Sequence, residues 1–368
     1  MEPLKNLFDE AYAVKLAGAL REAQPSFDPD QFTNGILTEE WDKLELKQRI
    51  RHITINMAAC LPEGYGDALS VLRQAAPQFE GLQGLVFPDY VEVYGLEQPE
   101  LSLSVLEWFT RFSTAEFAIR PFILREPKET MRQLEAWAEH ENHHVRRLAS
   151  EGCRPRLPWA CALPLFKRDP APILPILEKL KQDPSEYVRR SVANNLNDIS
   201  KDHPGLVLDI ARSWLGKDPH TDWIIRHACR GLLKKSVPEA LELFGFPPSP
   251  HLEAAGFEAA PKELLMGEEV LLSFTLHNHA AEPLKVRVEY GIDFVKANGQ
   301  RSRKIFAWSE KPLPPGEHRM QTKQSFRPIT TRKHYPGLHQ AVLLVNGQVV
   351  AEEEFLVKET TKDKPSNV

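Results

Sequence analysis

A basic element repeated near mid-chain, helical periodicity through the first 245 residues and a change to period-two alternation after a proline cluster predict a multi-domain, α-then-β chain. The predicted architecture is an α-solenoid of HEAT-like helical repeats followed by an immunoglobulin-like β-sandwich. The repeated element is Val145-Arg146-Arg147-Leu148-Ala149, which returns 43 residues later as Val188-Arg189-Arg190-Ser191-Val192-Ala193. A looser copy, Ile225-Arg226-His227-Ala228-Cys229-Arg230, follows 37 residues after that. A period near 40 with paired helices is the mark of HEAT-type stacks, which build long concave surfaces.

The elements follow in order. Residues 1–75 carry apolar positions at helical spacing, including Leu4, Leu7, Phe8, Leu16 and Leu20, and later Leu46, Ile50, Ile53 and Met57. Residues 76–100, with Pro77, Pro88 and Pro99, read as irregular. Helical pairs are then expected, with first helices over 102–111, 129–140, 171–182 and 204–215. Their second helices fall over 114–125, 142–153, 185–199 and 221–235. Pro247-Pro248-Ser249-Pro250 cannot continue a helix and places a linker over 247–252 after a first domain of 1–246. Segments such as Val270–Leu276, Lys285–Tyr290 and Gln340–Val345 read as strands, about seven in all. Asn346-Gly347 marks a two-residue hairpin. The sandwich spans 253–358 and a polar tail 359–368.

Composition excludes several classes. Charged residues make up 26% and hydrophobic ones 42%, as in an ordinary globular protein. No apolar run reaches the ~20 residues of a membrane span, and Met1-Glu2-Pro3-Leu4-Lys5 lacks the form of a signal peptide, so a cytoplasmic protein is expected. Cys60, Cys153, Cys161 and Cys229 form no CxxC pair and read as buried free thiols. No metal site and no cofactor are expected; His140 and His144 are four apart on one helix but fit an exposed polar face better than a ligand pair. The net charge of −5 is uneven: residues 1–100 carry 8 basic and 17 acidic side chains, whereas residues 101–250 carry 22 and 19. Any acidic partner must therefore be read by a local face and not by bulk charge.

Three segments depart from plain repetition. In Ser113-Thr114-Ala115-Glu116, Ser113 and Glu116 fit a capping box, and Glu116 could equally be a functional carboxylate. In Ser150-Glu151-Gly152-Cys153-Arg154-Pro155-Arg156-Leu157-Pro158-Trp159, glycine and prolines explain a helix end, but not two arginines and a tryptophan at one turn. Arginine forks suit phosphate and a flat aromatic suits a cation or sugar face; the alternative is a Trp buried beneath a snorkelling Arg. In Asn194-Asn195-Leu196-Asn197-Asp198, three asparagines carry a helix-propensity cost that ligand binding would explain, unless Asn197 and Asp198 merely fray the helix end. Aligning the repeats sets Asn194 opposite Glu151, with Asp198 one turn on, so one concave stripe would offer all three.

The strings STAEFAIRPF (113–122), SEGCRPRLPWA (150–160), SVANNLNDISKDHP (191–204) and LELKQRIRH (44–52) together resemble the AlkC family of bacterial DNA alkylation-repair glycosylases over residues 1 to about 245. The segment holding Arg332, Lys333, His334, Tyr335, Pro336 and Gly337 looks like the immunoglobulin-like domain that some members carry. The resemblance implies a monofunctional glycosylase that removes cationic N-methylated bases, chiefly 3-methyladenine and 3-methylcytosine, from double-stranded DNA without flipping them. Glu116, Glu151, Trp159 and Asp198 match the catalytic role. The basic stretches suggest DNA contacts at Arg120, Arg154, Arg156, Asn194, Asn195, Lys201, Arg226 and Arg230, with Arg301, Arg303, Lys304, Arg332 and Lys333 on the sandwich. A monomer is expected. Two rivals remain at this level: a HEAT scaffold for a protein partner, and a binder of damaged DNA that does not cleave it.

Overall fold

The computed structural model describes residues 2–329 and 333–359. It divides after Ala228 into two compact units. The first is helical: α1 Glu10–Ala23, α2 Pro29–Ile36, α3 Leu46–Cys60, α4 Tyr65–Ala75, α5 Val86–Tyr94, α6 Pro99–Phe109, α7 Ile119–Arg125, α8 Pro127–Trp137, α9 His143–Gly152, α10 Pro164–Arg168, α11 Leu174–Leu180, α12 Glu186–Ile199, α13 Pro204–Trp214 and α14 Pro219–Ala228. No helix of the described residues is long and apolar enough to cross a membrane.

The repeat holds in three dimensions because its apolar positions are core positions. Val145, Leu148 and Ala149 of α9 are buried, as are Val188, Val192 and Ala193 of α12 and Ile224, Ile225 and Ala228 of α14. Proline opens α8, α13 and α14 within their first turn, where its missing N–H is no loss. Asn142 caps α9 by accepting the His144 N–H at 2.8 Å.

Four expectations change. Residues 76–100 are not irregular, since α5 forms there. The helix expected from 114 begins at Ile119, so the capping box is not made: the Ser113 hydroxyl donates to the Gly81 carbonyl at 2.7 Å, and Glu116 lies in the turn before α7. Of the cysteines, Cys153 and Cys229 are buried but Cys161 is exposed. The helix expected over 221–235 breaks at Cys229 into α14 and α15 Arg230–Lys234.

The second unit holds α15 and α16 Pro238–Leu243 ahead of the strands, which span the residues expected of the sandwich. Polar ties to the strands explain why. Ser236 donates to buried Glu289 at 2.8 Å, Lys285 donates to the Phe244 carbonyl at 2.6 Å, and Asn346 donates to the Pro247 carbonyl at 2.8 Å. The strands are β1 Leu252–Ala260, β2 Glu263–Leu265, β3 Glu269–Asn278, β4 Leu284–Val295, β5 Arg301–Leu313, β6 Gly316–Ser325, β7 Gly337–Val345 and β8 Gln348–Lys358. One sheet runs β1-β3-β6 and the other β2-β8-β7-β4-β5. All pairings are antiparallel except β2 with β8. Strict alternation buries Leu272, Phe274 and Leu276 of β3 against Val288 and Ile292 of β4 and Leu343 of β7. Asn346 and Gly347 both have positive φ, 47° and 78°, as the tight β7–β8 hairpin requires.

Candidate active site

The site is built where α9 ends against α7. A Cβ at Gly152 would meet Ile119 Cγ2 at 2.6 Å, so only glycine lets the two helices approach this closely. The chain then leaves α9 through Arg154, Pro155 and Pro158. Arg120 of α7, fully buried, staples this loop: it donates to the carbonyls of Gly152 and Arg154 at 2.9 Å each and of Cys161 at 2.8 Å. Burial lowers the Arg120 pKa.

The loop and the turn before α7 enclose a cleft of about 270 Å³, walled by Thr114, Glu116, Phe117, Glu151, Arg154 and Trp159, among others. Behind its surface runs an alternating chain of charges. Arg147 pairs with Glu116, and with Glu151 at 3.4 Å. Arg154 reaches Glu151 at 2.6 Å and Asp198 at 2.9 Å, and Lys201 closes the chain on Asp198 at 2.8 Å. Three acids and three bases therefore balance. Desolvation opposes the charge on Arg147, but Glu151 and Glu116 outweigh it and its pKa is raised. Arg154 is raised in the same way, by Glu151 and Asp198 against desolvation. Arg147 also donates to the Thr114 hydroxyl at 2.8 Å and stacks its guanidinium over Tyr187 at 5.0 Å.

Trp159 stands apart from this buried network. Its side chain is exposed (62%), and its φ of +63° is one of three positive values at non-glycine residues among those described. Such a backbone costs about 1–3 kcal/mol and persists only where its surroundings impose it. Trp159, Thr114 and Phe117 also wall a second and larger hollow of about 500 Å³, lined by apolar side chains of α3 such as Ile50 and Ile55 and by the Arg51–Asp89–Glu92 ion-pair cluster. Burial raises the Glu92 pKa.

Of the residues singled out in the sequence, Glu116, Glu151 and Trp159 share the cleft, and Asp198 joins them through Arg154. The proposed DNA contacts divide. Arg120 and Arg154 are buried and committed to carbonyls and carboxylates, so neither presents a free fork to a phosphate. Asn195 is also corrected: it is fully buried and donates to the Ser150 carbonyl at 2.8 Å, tying α12 to α9. Asn194 does not join the Glu151 stripe; its carbonyl oxygen lies 3.3 Å from His227 of α14. Arg156 pairs with Asp202 at 2.7 Å near the surface, and Lys201 is half-exposed. Arg226 is exposed and Arg230 half-buried. On the sandwich, Arg301 pairs with Glu354 and Arg303 with Asp293, while Lys304 lies over Phe306 and Lys333 over Tyr335. Arg332 lies outside the described residues.

Arg147 was passed over as a repeat arginine. The signal for it was positional. Arg146 and Arg189, the first arginines of each pair, both donate to two carbonyls of the turn before their helix. The second arginines differ: Arg190 pairs with Glu186 at the surface, whereas Arg147 turns inward to pair with Glu116 behind the cleft.

Comparison with known proteins agrees with this frame. A family model described as "DNA alkylation repair enzyme" matches residues 95–232, and one described as "Uncharacterised protein YhaZ, C-terminal Ig-like domain" matches residues 253–359. A Bacillus subtilis (strain 168) protein, "Uncharacterized protein YhaZ", is 48% identical over 358 residues, covering 97% of this chain and 100% of its own. The structure "Pseudomonas fluorescens alkylpurine DNA glycosylase AlkC bound to DNA containing an abasic site analog" superposes with a TM-score of 0.90 at 38% identity, covering 97% of this chain and 100% of that one. Identity of this size along nearly the whole length, in both the helical unit and the sandwich, places the chain in the AlkC family of DNA alkylation-repair enzymes.

Proposed function

We propose that this protein is a monofunctional DNA glycosylase that hydrolyses the N-glycosidic bond of cationic N3-methylated bases in duplex DNA, 3-methyladenine and 3-methylcytosine foremost, without flipping the base. The observation that carries this is the placing of Glu116, Glu151 and an exposed Trp159 on one cleft in a chain that superposes on an alkylpurine glycosylase bound to abasic DNA.

A base methylated at N3 bears positive charge and leaves as a neutral molecule, so little general acid is needed. The C1′–N bond breaks, its electrons go to the base, and positive charge develops on the sugar. Carboxylates and an aromatic face stabilise that cation. Water attacks C1′ and a carboxylate takes its proton. Glu116 and Glu151 supply these functions, and Asp198 fixes Arg154 and through it Glu151. In the free protein Arg147 and Arg154 neutralise the acids, so a cationic sugar gains most where it displaces Arg147 from Glu116. Neutral bases leave too slowly for this machinery, which makes lesion charge the basis of selectivity.

Arg156, Lys201, Arg226 and Arg230 serve as phosphate contacts, with Arg301, Arg303, Lys304 and Lys333 on the sandwich. Replacing the four sandwich positions by alanine is expected to weaken DNA binding and flatten its salt dependence. The deciding assay measures base release from duplexes carrying one defined lesion. Glu116→Gln, Glu151→Gln and Asp198→Asn should each slow release, the first two by at least about 100-fold. Wild-type rates in all three would discard the site, and no release by the wild type from either lesion would turn the reading to a non-cleaving DNA binder or a protein scaffold.

A further inference from the structure

We propose that Lys47 is the positioning residue that holds Trp159 at the mouth of the cleft. The inference deepens the glycosylase reading and rests on it for its kinetic consequence. Lys47 lies 112 residues away in sequence, on α3, yet its ammonium donates to the Trp159 carbonyl at 2.7 Å. The same ammonium sits 4.8 Å from the centre of the Phe117 ring, the residue after Glu116. One cation therefore bridges the two segments, Thr114–Phe117 and Leu157–Trp159, that form the cleft wall.

Further facts make this more than a surface contact. Trp159 is the third residue of the Leu157–Ala160 turn, which the Ala160 N–H closes on the Leu157 carbonyl at 3.3 Å with Pro158 at its second position, and that turn sets the left-handed φ of +63°. Trp159 is 62% exposed, so burial of the residue does not fix the turn against the cleft. Arg120 fixes the loop on either side, at Arg154 and Cys161, but does not reach Trp159 itself. The lysine is also badly placed for its own helix. It is the second residue of α3, where the positive end of the helix dipole disfavours a cation, and no acidic residue occupies that first turn. Glu45 supplies the acid at the start of α3, and the Lys47 ammonium is held by the Trp159 carbonyl, the Phe117 face and the charge of Glu92 across the hollow.

The bridge keeps the indole on the partition between the cleft and the α3 hollow, which both count Trp159, Phe117 and Thr114 among their walls. Without it the Leu157–Ala160 turn is no longer tied to α3, and the indole leaves the position from which it meets a cationic sugar. The role is positional: Lys47 acts on Trp159 and not on DNA.

The test has two independent readouts. In protein labelled with 5-fluorotryptophan, the ¹⁹F resonance of Trp159 is assigned by its loss in Trp159→Phe. Lys47→Met should shift or broaden that resonance and Lys47→Arg should restore it, with Tm changed by no more than about 2 °C because the site is exposed. An unmoved resonance in Lys47→Met overturns the proposal whether or not the protein is a glycosylase. In single-turnover base release, Lys47→Met should lower the rate about tenfold with little change in DNA affinity, and Lys47→Arg should recover most of it. In a Trp159→Ala background Lys47→Met should have no further effect. An equal fold-loss in that background, or a salt slope of DNA binding reduced by about one, makes Lys47 a phosphate contact and overturns the positioning role. If the wild type releases no base, the function fails while the ¹⁹F result still decides Lys47.

Discussion

Arg154 has little freedom. It is the shared partner of Glu151 and Asp198, and its side chain is 9% exposed against 6% and 2% for theirs. Removing one member of a buried pair leaves an uncompensated charge, a larger effect than the net contribution of the pair. Arg154→Met is therefore expected to destabilise the protein by roughly 3–5 kcal/mol in urea unfolding. Arg190→Ala breaks a pair with Glu186 in which both side chains are about 60% exposed, and should change stability by less than about 0.5 kcal/mol. The contrast separates a buried, shared arginine from one paired at the surface. Glu151 and Trp159 stood out in the sequence as departures from the repeat, whereas Glu116 fits a capping-box pattern and was marked by the resemblance; the fold sets all three on one cleft. Arg147 did not stand out, since it belongs to the repeat with Arg146 and aligns with surface Arg190, and only the tertiary fold turns it towards Glu116.

At the level of elements, the close approach of α9 to α7 governs the cleft, because the loop that walls it begins where they touch. Gly152→Ala puts a methyl 2.6 Å from Ile119 Cγ2 and should destabilise by roughly 1–3 kcal/mol while shifting the Arg120-stapled loop. Gly205→Ala in α13 meets nothing within 4 Å and should be neutral or slightly stabilising. Thermal unfolding of the two variants side by side checks the difference. The same element-level logic recasts the asparagines of α12. Their propensity cost is real, but Asn195 offsets it by binding the Ser150 carbonyl across the repeat interface, not by binding a ligand. Most helices from residue 100 to 215, and the strands over 270–276, 285–290 and 340–345, were readable from periodicity. The turn at Ser113–Glu116 was not, because its capping-box pattern is a local rule that the long-range bond from Ser113 to Gly81 overrides.

For the whole molecule, stability should depend on pH through the sandwich. His339 is fully buried beside Phe294, Phe326 and Phe355, and its Nδ1–H donates to the Gly337 carbonyl at 3.0 Å. Burial lowers its pKa, with His334 and Arg301 adding to the effect and the Gly337 carbonyl opposing it. The unfolded chain thus binds a proton at a pH where the folded chain does not. The contribution is full above the unfolded value of about 6.5 and is lost as pH falls below it towards the folded value. Taking the full chain from pH 7 to pH 5 should lower Tm, and His339→Phe should lower it less over the same interval. Equal losses in the two proteins would remove His339 as the cause.

Periodicity, proline placement and the Asn346-Gly347 turn are local rules, and they were enough to specify a helical array followed by a sandwich and to mark the departures from repetition. Which charges meet is a matter of three-dimensional neighbours. Glu116 faces Arg147, Arg154 reaches Asp198, and Lys47 reaches Trp159 across 112 residues, each pairing made by tertiary packing and not by spacing along the chain. Burial then decided the rest, turning Arg120, Arg154 and Asn195 from candidate DNA contacts into the supports of the cleft, because a buried donor must be satisfied inside the protein.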